Sequence, residues 1–541
     1  MKHRSGCENR EAASWRRALG CLVLWMFMGL CDVGHAQPLR QGPVVPGVKT
    51  DLKLIAEGKE LAEYYCALCH QYPEPSLLDR KTWLGQTLPR MKIRVGLAPD
   101  YLDAHREADA IKATGVIPTD PVMTEAEFKA IVRYYVATAP ETAVPQAPRP
   151  PIRGDLPLFR VDRVSYRRGT PSVTLLKYDE ALKRIIVGHD EKKVIELLTG
   201  ELRTDASLNI GNTPTGFVRL GSYAFVTAIG SFWPSDIPKG ELLLYRSDGR
   251  FYSKERQVLG GLRRPTETAL ADFNGDGRQD FVIASFGNHT GELSWYENAG
   301  GGEIVEHKLF SQPGALRPQV GDFNNDGHPD IAVLVAQAWE MFFIFTNDGA
   351  GNFTGDVAFQ RHPLFGHSSF EVVDFNGDGL IDILATNGDN GEYPSPAKSY
   401  HGVRVYLNLG ENRFEETYFF PMNGAFQALG RDFDQDGDVD IAATSFFPDY
   451  QKSPQESFVY LENLGGLVFS PATFRQCLAG RWLTLACGDI DQDGDLDLLL
   501  GSYIYGPSPV PEGLLQAWER KGPSMMVLKN QLKSPQRGRS P

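Results

Sequence analysis

The sequence predicts a multidomain chain, in which a small all-α domain is followed by an all-β propeller of seven blades. An acidic motif of the form D-x-(N/D)-x-D-G-x-x-D recurs five times, and its starts lie 50, 52, 58 and 57 residues apart. Short apolar segments rich in β-branched residues follow every copy. A repeat of this length built from strands is typical of propeller blades. Amphipathic helical patterns lie upstream, before a Pro-rich segment.

The first 36 residues are typical of a secretory signal peptide. Two arginines precede the apolar run from Ala18 to Leu30, and a small-residue cleavage site ends at Ala36. The run is shorter than an ordinary membrane span, so we expect cleavage after Ala36, with a retained anchor as the alternative. The mature protein is therefore expected in the periplasm, secreted or at the cell surface, not spanning a membrane, and beginning with a linker over residues 37–50.

Residues 51–141 are predicted to form the all-α domain. The segment that leads to Cys66 has apolar residues at helical spacing. A later helix is predicted to begin at Thr124, which forms a capping box with Glu127, and to stop at Pro140.

Cys66, Cys69 and His70 have the spacing of a c-type haem attachment motif. Two thiols at this spacing bind the vinyl groups of a haem, and the adjacent imidazole ligates its iron. The alternatives are a redox-active CxxC pair or a structural disulfide. With its flanking helices, the region resembles a small class I c-type cytochrome. That resemblance implies one covalent haem c that exchanges single electrons with a redox partner protein.

The sixth iron ligand is expected to be a methionine. Met91 is the preferred candidate, because its Trp-then-Met context resembles bacterial cytochromes whose ligand comes early. Met123 is the alternative, although it directly precedes the helix cap, where a hydrophobic staple would also explain it. An open site is the third possibility.

Each acidic motif provides ligands that suit Ca²⁺. Side-chain oxygens occupy positions 1, 3, 5 and 9, a backbone carbonyl is expected at position 7, and Gly lies at position 6, where the chain reverses. The bidentate Glu of an EF-hand is missing. About five Ca²⁺ ions are expected. Their predicted side-chain ligands are Asp272, Asn274, Asp276, Asp280, Asp322, Asn324, Asp326, Asp330, Asp374, Asn376, Asp378, Asp382, Asp432, Asp434, Asp436, Asp440, Asp489, Asp491, Asp493 and Asp497. Their predicted backbone ligands are Arg278, His328, Leu380, Asp438 and Asp495.

The acidic motifs are predicted to join strands one and two of four-stranded antiparallel blades, and turns with Asn and Gly to join strands three and four. These motifs resemble FG-GAP, or VCBS, repeats, known from the calcium-binding propeller of integrin α chains. The resemblance covers Leu158 to Gln531 and implies a calcium-binding propeller over residues 156–531. Two earlier segments have the blade pattern without the acids, giving seven blades, with six or eight as alternatives. The strand within Leu158 to Arg168 is predicted to pair with the last strand and close the ring.

Residues 142–155 are rich in Pro and predicted to form a semi-rigid linker, and residues 532–541 a disordered tail. Cys477 and Cys487 are either a disulfide pair or two free thiols.

The connections between strands two and three should lie at the end of the propeller opposite the calcium loops. They are rich in aromatic, Pro and Asp residues. Four residues precede innermost strands at the same end: Arg264, Arg317, His367 and Arg481. We expect either a recognition face for a carbohydrate or protein ligand, or ordinary loops with residues that cap the blade ends.

The formal net charge of −13 says little about partners, because bound Ca²⁺ would offset much of it. Nucleic acid is not expected, since the chain is not basic. No catalytic set stands out, so no catalytic residue is assigned and catalysis stays open.

The expected function is an extracytoplasmic c-type cytochrome with a calcium-stabilised propeller that docks a partner. The alternatives are an oxidoreductase whose propeller binds substrate and passes electrons to the haem, and a surface adhesion or scaffold propeller.

Overall fold

The computed structural model describes residues 52–105, 107–162, 166–248, 252–391 and 396–532. The predicted leader, its cleavage site, the linker over residues 37–50 and the tail from residue 533 lie outside these residues. Within them, the helices are all too short or too polar to cross a membrane.

A small helical unit occupies the N-terminal part of the described chain and confirms the prediction of an α-helical region. A 3-10 turn spans Pro75–Leu77 and a π-helical turn spans Trp83–Thr87. The helices are α1 (Leu52–Ala67), α2 (Arg80–Thr82), α3 (Leu88–Arg94), α4 (Pro99–Asp103), α5 (Ala108–Thr114) and α6 (Glu125–Thr138).

Helices α1 and α6 pack closely at Gly58. A Cβ atom there would lie 2.9 Å from the Cβ of Tyr134, so only glycine allows this approach. The predicted capping box begins α6: Glu127 N donates to Thr124 Oγ1 (3.2 Å), and Thr124 N donates to Glu127 Oε2 (2.7 Å). The first and last long helices thus form the frame of the unit.

The propeller has seven four-stranded antiparallel blades, as predicted. Blade 1 comprises β2 (Val173–Asp179), β3 (Arg184–His189), β4 (Val194–Leu198) and β5 (Thr204–Asn209). Blade 2 comprises β6 (Pro214–Leu220), β7 (Tyr223–Ala228), β8 (Gly240–Ser247) and β9 (Tyr252–Leu262). Blade 3 comprises β10 (Pro265–Ala271), β11 (Asp280–Ser285), β12 (Glu292–Gly300) and β13 (Glu303–Phe310). Blade 4 comprises β14 (Ala315–Gly321), β15 (Asp330–Val335), β16 (Met341–Asn347) and β17 (Phe353–Gln360).

The remaining blades follow the same order. Blade 5 comprises β18 (His367–Val373), β19 (Asp382–Asn387), β20 (Gly402–Asn408) and β21 (Phe414–Pro421). Blade 6 comprises β22 (Ala425–Arg431), β23 (Asp440–Ser445), β24 (Phe458–Asn463) and β25 (Phe469–Ala472). Blade 7 comprises β26 (Trp482–Gly488), β27 (Asp497–Ser502), β28 (Met525–Asn530) and β1 (Phe159–Val161).

The ring closes as predicted, because β1 pairs antiparallel with β28. Phe159 faces Asn530, and Val161 faces Leu528. Each of the seven junctions between neighbouring blades encloses its own apolar cluster, including the junction between blades 7 and 1. The core of the propeller is therefore a closed circle of apolar layers between sheets.

Part of the Pro-rich segment is held against the propeller, whereas the sequence predicted a spacer between domains. Arg149 forms an ion pair with the buried carboxylate of Glu456 in blade 6. Arg153 N donates to the carbonyl of Pro471 (3.0 Å), and Thr473 N donates to the carbonyl of Arg153 (2.8 Å). These contacts fix the path of the chain between the helical unit and β1.

The connection between β27 and β28 differs from the predicted loop, because it contains a helix, α7 (Glu512–Lys521). Trp518 anchors this helix by donating from Nε1 to the carbonyl of Leu478 (2.8 Å). Cys477 and Cys487 are free thiols in the structure.

Candidate functional site

The five acidic loops share one hydrogen-bonding pattern. In the first loop, Asp272 Oδ2 accepts from Gly277 N (2.8 Å), and Asp276 Oδ1 accepts from Arg278 N (2.8 Å). The equivalent two bonds recur in the other four loops. The backbone of each loop thus holds the carboxylates of positions 1 and 5 inside a tight turn.

The aspartate at position 9 links each loop to the third strand of its blade. Its Oδ1 accepts from the backbone N–H of an asparagine at or near the end of that strand, at 2.8 Å in all five blades. Its Oδ2 accepts a hydrogen bond from the backbone N–H of the residue at position 2 of the loop. All five of these aspartates are buried: Asp280, Asp330, Asp382, Asp440 and Asp497. The sequence motif pointed to metal ligands and did not show this bracing contact.

The last two loops each bring three carboxylates within 4.8 Å of one another: Asp432, Asp434 and Asp440, and Asp489, Asp491 and Asp493. Burial, together with neighbouring carboxylates, raises the pKa of Asp440 to about 6 and that of Asp497 to about 7. Closely spaced carboxylates of this kind are stabilised by a divalent cation. The donor set therefore fits Ca²⁺, while the ligand assigned to each position stays a prediction.

The Cys-Cys-His segment begins in the last turn of α1. Cys66 and Cys69 are half-buried free thiols, and burial raises the pKa of each to about 12. A redox-active pair needs a lowered thiol pKa, so this environment disfavours that alternative. His70 Nδ1 lies 2.9 Å from the carbonyl oxygen of Gln71. Since a carbonyl only accepts, Nδ1 carries the proton and Nε2 has the lone pair that a metal would bind.

The two methionines predicted as ligand candidates lie in different surroundings. Met123 is buried in the apolar cluster of the helical unit, and Cys66 packs against the same cluster. Met91 is half-buried on α3, outside the described members of that cluster. The structure therefore brings Met123 and Cys66 to one cluster, while the identity of an axial ligand stays a prediction.

The helical unit contacts the propeller at the end opposite the calcium loops. Leu364 and Tyr400, from connections at that end, pack with its apolar cluster. Glu107 accepts hydrogen bonds from Ser235 Oγ (3.0 Å) and Asp236 N (3.1 Å) in blade 2. Cys69 packs against the cluster between blades 3 and 4. The Cys-Cys-His segment thus lies at the junction of the two parts.

The innermost strands surround a cavity of about 290 Å³. Each of these strands has a β-bulge at or directly after its second residue. A bulge redirects a side chain, and all seven second residues line the cavity: Thr174, Thr215, Thr266, Leu316, Ser368, Phe426 and Leu483.

The four hydroxyl groups in this set link neighbouring blades. Each lies within hydrogen-bond distance of a carbonyl at the start of the next innermost strand, at 2.7 Å for Thr174, 3.2 Å for Thr215, 3.5 Å for Thr266 and 2.9 Å for Ser368. Thr266 lies closer to the carbonyl of Ala284 in its own blade (3.1 Å). No sequence pattern indicated the contacts between blades, since the partners lie 40 or more residues apart.

Arg264 and Arg481 cap blade ends, which was one of the two predicted roles. Arg264 donates from Nε to the carbonyl of Ser231 (3.1 Å) and from Nη2 to that of Phe232 (3.0 Å). Arg481 is buried, donates to the carbonyl of Phe446 (2.9 Å) and stacks on its ring. Both guanidinium groups therefore bind carbonyl oxygens of the connections between strands two and three.

His367 and Arg317 differ from the other two. His367 Nδ1 lies 2.8 Å from Glu340 Oε2, and both side chains are buried. Arg317 lies in the channel, where Lys177 and Glu267 join it in an ion-pair triad. Sequence reasoning missed Lys177 and Glu267. The one available signal was a charged residue within six of the seven innermost strands, and it did not indicate a pairing across blades.

The FG-GAP-like repeat family matches residues 272–333, 322–385, 374–443 and 432–500, which all lie in blades 3 to 7. The T-cell immunomodulatory protein homolog of Plasmodium falciparum (isolate 3D7) is 24% identical over 243 residues, or 34% of this chain and 33% of that protein. Cartilage acidic protein 1 of Mus musculus is 24% identical over 195 residues, or 32% of this chain and 29% of that protein. The matches thus span a third or less of these relatives.

Among solved structures, the β-propeller domain of Myceliophteria thermophila Cps50 (Swd1) superposes with a TM-score of 0.41 at 9% identity, over 68% of this chain and 98% of that one. This score is too low to support an argument. The family match and the blade count do not depend on it. The chain therefore forms a seven-bladed β-propeller in which residues 272–500 match FG-GAP-like repeats; over part of its length it is similar to T-cell immunomodulatory protein homologs and cartilage acidic protein 1, and its acidic loops are typical of FG-GAP calcium sites.

Proposed function

We propose that the chain is an extracytoplasmic binding protein of adhesion or scaffold type. Its calcium-braced propeller presents the end opposite the calcium loops to a protein or carbohydrate partner. The observation that carries this proposal is the separation of the two ends. The acidic loops are occupied by local bracing bonds, whereas the longer and more varied connections lie at the other end, where Tyr505 is 42% exposed and Ile237 is 37% exposed.

The relatives favour the same class of function. Neither the T-cell immunomodulatory protein homolog nor cartilage acidic protein 1 is named for a chemical reaction. Two of the buried carboxylate–imidazole pairs, Asp236 with His289 and Glu340 with His367, also favour binding over catalysis. These four residues are at most 5% exposed, and each carboxylate also accepts from the backbone N–H of its partner histidine, so both pairs brace loops.

A panel of immobilised polysaccharides and secreted proteins tests this proposal in a biosensor with Ca²⁺ present. Tyr505→Ser at the proposed binding end should weaken the strongest interaction several-fold. Leu464→Ser is the matched control, because Leu464 is 62% exposed on the turn between β24 and β25, at the calcium-loop end. Equal losses in both variants, or a loss confined to Leu464→Ser, would contradict the proposal.

A second candidate function is single-electron transfer through a covalent haem c held by the helical unit. Three features of the chain favour it. Cys66 and Cys69 precede His70 at the spacing of an attachment motif, the contact with Gln71 leaves the lone pair of His70 on Nε2, and Met123 lies in the cluster that Cys66 packs against. When bound, the haem would supply an iron centre that accepts and releases single electrons.

The residues of the helical unit would then have separate tasks. Cys66 and Cys69 would attach the group, and His70 would bind the iron in the tautomer that its contact with Gln71 selects. The apolar cluster around Trp83 and Tyr135 would exclude water from one side. The redox partner would be a protein, because Cys69 packs against the propeller and access is restricted there.

Haem attachment is tested by expressing the full chain with a c-type maturation system and measuring the pyridine haemochrome of the denatured protein. Cys66→Ser and Cys69→Ser should each reduce covalent haem, whereas Cys487→Ser, a thiol in blade 7, should not. Absence of covalent haem from the unmodified chain would refute this candidate. Met91→Ala should abolish the near-infrared sulfur-to-iron band if Met91 is the sixth ligand. If the band is lost only in Met123→Ala, the sixth ligand is Met123.

A further inference from the structure

The central channel contains two cations that share one carboxylate. Lys177 Nζ lies 2.7 Å from Glu267 Oε1, and Arg317 Nε lies 3.5 Å from Glu267 Oε2. The Glu267 side chain is only 18% exposed. Burial opposes its ionisation, but Lys177 and Arg317 hold its pKa below the usual value. The triad therefore carries one net positive charge at neutral pH.

This triad divides the channel. The cavity of about 290 Å³ that the bulge residues line is called the outer cavity, and a second cavity of about 360 Å³, lined further along the strands by Gln319 and Leu429, is called the inner cavity. Both are lined by the three charged residues together with Leu176 and Gln427. The outer cavity is also lined by one further cation, Arg264, and one further carboxylate, Asp389. These two charges cancel, so the net charge of the lining stays at one positive charge. A small anion that enters the outer cavity thus meets an uncompensated cation in a partly desolvated site.

The wall of the outer cavity offers hydrogen-bond acceptors. The hydroxyls of Thr174 and Thr215 donate to a carbonyl of the next blade. The hydroxyl of Thr266 lies nearest the Ala284 carbonyl of its own blade, and that of Ser368 lies near both the Ala425 carbonyl and Thr386 Oγ1. The lone pairs of these oxygens remain available to accept from a ligand. The cavity therefore suits a molecule that combines a negative charge with several hydroxyl donors.

Arg317 is held in an unusual backbone conformation, with a φ of 48°. A left-handed φ is rare and unfavourable for a residue with a long side chain. Here it accompanies the bulge in β14, and Arg317 Nη1 donates to Ser369 Oγ (2.7 Å). The fold thus positions this guanidinium inside the channel at a conformational cost.

We propose that the outer cavity binds a small hydroxy-carboxylate of the sugar-acid class. Its carboxylate pairs with Lys177 and Arg317, and its hydroxyls donate to the oxygens of the bulge residues. A volume of about 290 Å³ is at the lower end of the range for small-molecule sites, which limits the ligand to a single sugar unit. The site depends neither on a haem nor on a partner at the propeller surface.

Isothermal titration of the full chain in Ca²⁺ with D-gluconate, D-glucose and acetate tests the proposal. Gluconate carries both features, glucose lacks the charge and acetate lacks the hydroxyls. We expect gluconate to bind at least tenfold more tightly than either control. Equal affinity for gluconate and glucose, or no binding of gluconate up to 10 mM, would overturn it.

Charge variants give a test with a predicted sign. Lys177→Met should weaken gluconate binding at least tenfold, whereas Glu267→Gln should strengthen it several-fold, because it removes the carboxylate that competes for both cations. Lys308→Met is the matched control, since Lys308 pairs with Glu292 at 2.6 Å outside the channel, and it should leave binding unchanged. Circular dichroism confirms that each variant is folded. Weaker binding in a folded Glu267→Gln variant would refute the proposed role of the triad.

Discussion

Replacing Asp440 by alanine should destabilise blade 6 even in the absence of calcium. The Asp440 carboxylate accepts from Phe433 N (3.2 Å), Asn463 N (2.8 Å) and the hydroxyl of Tyr460 (2.6 Å). Removing it leaves three buried donors without their acceptor, each costing about 1–3 kcal/mol before water and relaxation compensate. We therefore expect a loss of about 3–5 kcal/mol, near the upper end for single substitutions.

Asp438→Ala is the matched control, because Asp438 lies in the same loop and carries the same charge, but its predicted role uses only the backbone carbonyl. Thermal melts in EGTA and in Ca²⁺ provide the assay. Asp440→Ala should lower the midpoint by roughly 5–10 °C in EGTA, and by more in Ca²⁺, since a ligand is also lost. Asp438→Ala should change little in either buffer. Equal effects of the two substitutions, or a neutral Asp440→Ala in EGTA, would refute the bracing role of position 9.

Three further predictions concern packing and pH. Gly58→Val should separate α1 from α6 and cost about 1–3 kcal/mol by overpacking, measured by protease resistance of the helical unit, whereas Gly85→Val, with open space around its Cβ position, should not increase cleavage. Thr174→Val should remove the bond between blades 1 and 2 and cost about 0.5–1.5 kcal/mol in urea denaturation; an unchanged midpoint would show that the bond contributes nothing. Burial lowers the pKa of His189 to about 4, below the unfolded value, so the unfolded state binds the proton first. Stability should therefore be complete above pH 6.5 and fall as the pH drops towards 4, by roughly 2 kcal/mol at pH 5, and His189→Gln should flatten this slope.

The features that the sequence predicted correctly are those encoded within a few residues. The residues that interact lie within one short segment in the acidic motifs, in the Asn and Gly turns and in the Thr124 capping box. Spacing alone therefore identifies these features. The pairing of β1 with β28 was also predictable, although it is distant in sequence, because a four-stranded repeat left one strand missing at the end of the chain.

The features that escaped sequence reasoning depend on contacts between distant segments. Arg149 reaches Glu456 across more than 300 residues, and Lys177 meets Glu267 only because seven sheets surround one axis. The role of position 9 was missed for another reason. The motif assigns this carboxylate to the metal, which stays a prediction, and spacing alone does not show that the carboxylate also accepts from backbone N–H groups.

The pairing of β1 with β28 has a consequence for how the protein is made. Phe159 leaves the ribosome hundreds of residues before Asn530, its partner in the sheet. During translation the earlier blades can form in order, but blade 7 lacks an edge and blade 1 lacks a neighbour until the final strand is synthesised. A nascent chain stalled before Met525 would expose the apolar layer of Val173 and Leu499. The ring therefore closes only after Met525–Asn530 has been synthesised, and products shortened before this strand should be the ones that chaperones and proteases recognise.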